Sequence, residues 1–155
     1  MRQWWFLLHI AGVLGFMGTH GVSMFVMFRI RGERDRRKIA DLIAFSGTTT
    51  KPMYISLVVL VVGGVLTGLS PSLFGGWWIW LSIVILLVTI GLMSGLASPY
   101  FKRITAACEV RPSGVPRVAD EELEQLLRSG EAIAIAAIGV IGLLAILYLM
   151  IFKPF

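Results

Sequence analysis

The chain has 155 residues, 57% of them hydrophobic and 15% charged, with a mean hydropathy of +0.84 and a formal net charge of +5. This balance excludes an ordinary water-soluble domain. The basic excess does not point to nucleic acid, because 7 of the 14 Lys and Arg residues fall between Arg29 and Lys51 and five between Lys102 and Arg128, in two blocks that separate long uncharged stretches.

A helix needs roughly 20 mainly apolar residues to cross a hydrocarbon core of about 30 Å with every backbone group satisfied internally. Four stretches meet this, at about 4–28, 52–70, 76–97 and 132–152. The sequence therefore predicts an all-α fold, a four-span transmembrane bundle forming one membrane domain over 1–155. The first stretch is too long for a cleaved signal peptide, is preceded only by Arg2, and is read as a retained span. It carries Gly12, Gly15, Gly18 and Gly21, small residues that let helix backbones approach in lipid.

The first charged block, RIRGERDRRK, is followed by Ile39, Leu42 and Ile43 at helical spacing, which predicts a short helix along the inner interface. Its run from Arg34 to Lys38 also suits anionic headgroups. The second span carries Gly63, Gly64 and Gly68, and the third Gly91 and Gly95. Trp4, Trp5, Trp77, Trp78 and Trp80 fall at the outer ends of spans one and three, as an aromatic belt does. The second block holds Cys108, a lone thiol with no disulfide partner, and then RPSGVP. After that break, Asp120 is a candidate N-cap for a second interfacial helix with Leu123, Leu126 and Leu127 as its stripe. The fourth span adds Gly139 and Gly142. By the positive-inside rule both blocks are cytoplasmic, which places both termini and the Pro71 turn outside.

No Asp, Glu, Lys or Arg lies inside the four spans, which argues against an ion-coupled transporter or proton pump. His9 and His20 are the strong ligands left in the bilayer region. Eleven steps of about 100° return to within roughly 20°, so both share a helix face with Gly12 and Phe16. At about 1.5 Å per residue they stand roughly 16 Å apart in depth and cannot share one metal. Each can hold a haem iron axially, or each can hydrogen-bond a neighbouring helix through Thr67, Thr89 or Ser94.

The segments WWFLLHIAGVLGFMGTHG, RIRGERDRRK, GGVLTG and YLMIFKPF resemble an uncharacterised bacterial integral membrane family of the CopD-like superfamily, whose relatives include the HemJ-type protoporphyrinogen oxidases. The resemblance spans the chain. It implies residence in the bacterial cytoplasmic membrane and haem b held by His9 within Leu8-His9-Ile10; the shared helix face adds Gly12 and Phe16 beside it, and His20 is the candidate for a second site. The oxidases also carry a lysine in a later span. The comparable stretch here, Trp77 to Leu87, has Ser82 and no lysine. The readings in play are a haem protein in a redox or haem-related role, a non-catalytic accessory subunit that meets lipid and other membrane subunits or copies of itself, and copper handling by Met17, Met24, Met27 and Met53.

Overall fold

The computed structural model describes residues 2–68 and 76–153, residue 2 by its backbone alone. Six α-helices and one 3-10 turn follow in order: α1 Arg2–Arg29, the turn Ile30–Gly32, α2 Arg36–Thr48, α3 Thr50–Gly68, α4 Trp77–Cys108, α5 Asp120–Arg128 and α6 Glu131–Phe152. Extended pairing among the described residues is limited to an isolated bridge between Val110 and Pro116. Among the described residues four helices are long and apolar enough to cross a membrane, in the places read from the sequence. The Pro71 turn lies outside the described residues.

The helices form two antiparallel pairs, α1 with α3 and α4 with α6. Both charged loops stand at one end of the molecule, where the pairs are joined. Val26, Met27 and Ile30 meet Ile39 of α2, Tyr100, Ile104 and Cys108 of α4, Leu123 and Leu127 of α5, and Ala132 and Ile135 of α6 in one core. Tyr100, Ile30, Ile39 and Ile104 are wholly buried there. Away from that end, large apolar side chains such as Leu14, Ile55, Leu87 and Ile141 are mostly exposed. The division follows from the solvent: water drives apolar burial where helices leave the bilayer, and lipid provides no such drive between spans.

α4 outruns its expected span. Charge at Lys102 ends the apolar stretch near residue 97, yet the helix continues to Cys108. Its 32 residues extend about 48 Å at roughly 1.5 Å each, against about 30 Å of hydrocarbon. The extension is held by burial of Tyr100, Ile104 and Ala107 in the core of the charged end.

α2 is less separate than expected. Asp35 caps it, accepting from the Arg37 and Lys38 N–H groups at 2.9 and 3.4 Å. The Thr-rich run after Gly47 does not stop the chain, because the Thr48 and Thr49 hydroxyls donate back to the Phe45 and Ser46 carbonyls. Thr49 alone separates α2 from α3. Ser46 donates to Ser23 Oγ at 3.0 Å, and further along Ser56, Leu60 and Gly63 meet Gly15, Gly12 and His9. The two helices thus climb one side of α1 in a single antiparallel order. In α5, Leu123 and Leu127 are buried and Leu126 packs against the core, as the stripe suggested. Asp120 is the first residue of that helix and not its cap, since Ala119 occupies the cap position and the Asp120 carboxylate faces Arg36.

Candidate functional site at His9

His9 sits two turns into α1 and is 9% exposed. Its Nδ1 lies 2.7 Å from the Leu60 carbonyl oxygen of α3. A carbonyl only accepts, so Nδ1 carries the proton and donates, and in the neutral ring Nε2 keeps the lone pair. The partner is a backbone carbonyl and not the threonine or serine hydroxyls expected from the sequence. Thr67 instead donates to Gly63 O within its own helix, and Thr89 packs against Gly142.

Three glycines make this approach possible. A Cβ on Gly63 would lie 2.6 Å from the His9 nitrogen and 2.8 Å from its Cα, distances that real Cβ atoms do not show. A Cβ on Gly12 would lie 2.6 Å from the Leu60 Cα, and one on Gly64 would press on the imidazole at 3.0 Å. Each helix thus offers a bare backbone where the other needs room. The glycines expected to admit a macrocycle here admit the backbone of the facing helix and, at Gly64, the imidazole itself.

Phe16 and His20 form a separate feature lower on α1, with ring centroids 5.4 Å apart and planes within 4°. His20 is half-buried, and among the described residues its ring makes no hydrogen bond. The structure therefore brings His9 and Gly12 into one contact and stacks Phe16 on His20, without converging the four. No group of three His, Cys, Asp or Glu side chains stands close enough to hold a metal among the described residues. Of the methionines considered for copper, Met27 is buried in the core of the charged end while Met17 and Met24 are exposed.

Sequence reasoning missed the residues that join the two pairs. The Arg36 side chain is 12% exposed and donates to Ala107 O at 2.7 Å, to Val118 O at 2.8 Å and to Asp120 Oδ1 at 3.1 and 2.5 Å. Arg31 donates to Ser129 O at 2.7 Å and Arg128 O at 3.2 Å. The two arginines thus satisfy carbonyls left over at the C-terminal ends of α4 and α5, at Ala107, Arg128 and Ser129, and one in the loop before α5, at Val118. Nothing in RIRGERDRRK distinguishes Arg36 from its neighbours. The one available signal was Asp35, whose cap fixes where α2 begins and so which arginine turns inward. Outside the apolar segments, Glu33 accepts from the Arg34 and Asp35 N–H groups, which together hold its carboxyl below the usual range.

No curated protein and no solved structure matches the chain. Nothing in these comparisons ties it to the CopD-like superfamily or to HemJ-type oxidases. A family profile does match residues 5–154, nearly the whole length. The chain therefore belongs to the family described as "Predicted integral membrane protein (DUF2269)".

Proposed function

We propose that this four-span protein is a non-catalytic helical subunit of a larger membrane assembly, lying in the cytoplasmic membrane with its charged end in the cytoplasm. The observation that carries the reading is the use made of His9. A buried membrane histidine is costly unless it is paired or ligated. Here the imidazole is engaged as a donor to Leu60 O, at a contact where glycines on both helices bring the two backbones together. Its role on this reading is to lock the first helix pair. The basic residues left exposed around the charged end, such as Arg34 and Arg37, set the orientation and meet anionic headgroups.

One observation favours haem b as a second reading: Nδ1 bonded to a carbonyl is also the arrangement that orients an axial histidine, with Nε2 free for iron. The decisive experiment is purification in mild detergent, followed by absorption spectra of oxidised and reduced protein and identification of what co-purifies. A colourless protein that brings other membrane proteins with it supports the subunit reading. A Soret band that disappears in His9→Ala and survives His20→Ala overturns it in favour of haem.

A further inference from the structure

The geometry points to a hinge in α4 between Gly95 and Pro99, about which the outer part of the α4/α6 pair tilts relative to the α1/α3 pair. Pro99 lies inside the helix and has no N–H to offer the Gly95 carbonyl, and its ring crowds that same carbonyl. The break falls where the surroundings of α4 change. From Tyr100 onward the helix is anchored, with Tyr100 and Ile104 wholly buried and the Ala107 carbonyl held by Arg36. Above Pro99 the helix packs on α6 through Thr89 and Met93, which meet Gly142 and Gly139, while Leu87, Val88, Leu92 and Leu96 are exposed and a Cβ on Gly91 or Gly95 would meet nothing within 4 Å. One missing backbone bond thus separates a segment clamped in the core of the charged end from one that packs on α6.

The partner helix permits the motion. Contacts of Met93 with Gly139 and of Arg103 with Glu131 fix the register of the pair, so α6 passes the level of Gly95 through Ala136 and Ala137. Gly139 faces only the flexible end of Met93, since a Cβ added there would lie 3.0 Å from its Sδ and Cε and meet no backbone of α4. The space that opens lies beside the Phe16 and His20 face of α1. His20 stands seven residues, about 20° in helical direction, from Met27, which is buried against α4 in the core of the charged end. Tilting at Pro99 therefore widens or closes a lateral gap in the bilayer next to the stacked pair.

The test is electron spin resonance distance measurement in lipid nanodiscs, in a Cys108→Ala background, with spin labels at Leu14 and Leu87. A control pair sits at Asp41 and Glu121, below the hinge. The Leu14 to Leu87 distances are expected to form a broad or double distribution that collapses to a single narrow one in Pro99→Ala, while the control pair stays narrow in both. Gly95→Ala, which adds a methyl group into open space, is expected to narrow the distribution in the same direction and stands in if Pro99→Ala does not fold. A distribution that is equally narrow before and after substitution overturns the hinge. So does a control pair as broad as the first, since the whole protein is then loose.

Discussion

Glycine positions separate two roles that look identical in the sequence. Gly12, Gly15, Gly18 and Gly21 recur every third residue, yet only the first two meet α3, at Leu60 and Ser56, while Gly18 and Gly21 face open space. A three-residue step rotates by about 300° and drifts around the helix, so four such glycines cannot all share one face. Gly12→Leu is expected to destabilise the protein by at least the roughly 1–3 kcal/mol of an overpacked site, because backbone stands in its way. Gly18→Leu is expected to leave thermal stability in detergent within about 0.5 kcal/mol. Equal melting temperatures for the two variants would contradict this packing. His9 was legible as an inward-facing residue from the helix face it shares with Gly12; its partner was not, because a backbone carbonyl leaves no trace in residue identity.

Among the elements, the apolar helices were readable because charge marks their ends, and α3, α6 and most of α1 fall close to the expected limits. What charge could not mark was the continuation of α4 past Lys102 and the return of α2 along α1, both of which depend on burial against distant segments. Arg36 is where that burial is tied together. Arg36→Ala removes a charged donor from two carbonyls and is expected to cost about 1–3 kcal/mol for each, read as a lowered unfolding temperature in detergent. Asp120→Asn is expected to cost less than about 1 kcal/mol, since the Asp120 side chain is 88% exposed and solvent already screens the pair. A larger loss from Asp120→Asn than from Arg36→Ala would mean that the ion pair, and not the carbonyl contacts, holds the loops together.

The whole molecule is two helix pairs tied together at the charged end, an organisation that follows from water acting at one end and lipid along the spans. Orientation is expected to follow the basic loops. In a Cys108→Ala background, a cysteine at Gln3 should react with an impermeant reagent added to intact cells, and one at Arg111 should react only after lysis. The opposite pattern would reverse the topology. The claim that the membrane histidine is spent on holding the first pair is tested most directly by nitrogen NMR of histidine-labelled protein in lipid bilayers. The His9 ring is expected to show a protonated, hydrogen-bonded Nδ1 and an unprotonated Nε2 free of any metal. A proton on Nε2 with a bare Nδ1, or an Nε2 signal shifted by a bound metal, would contradict it.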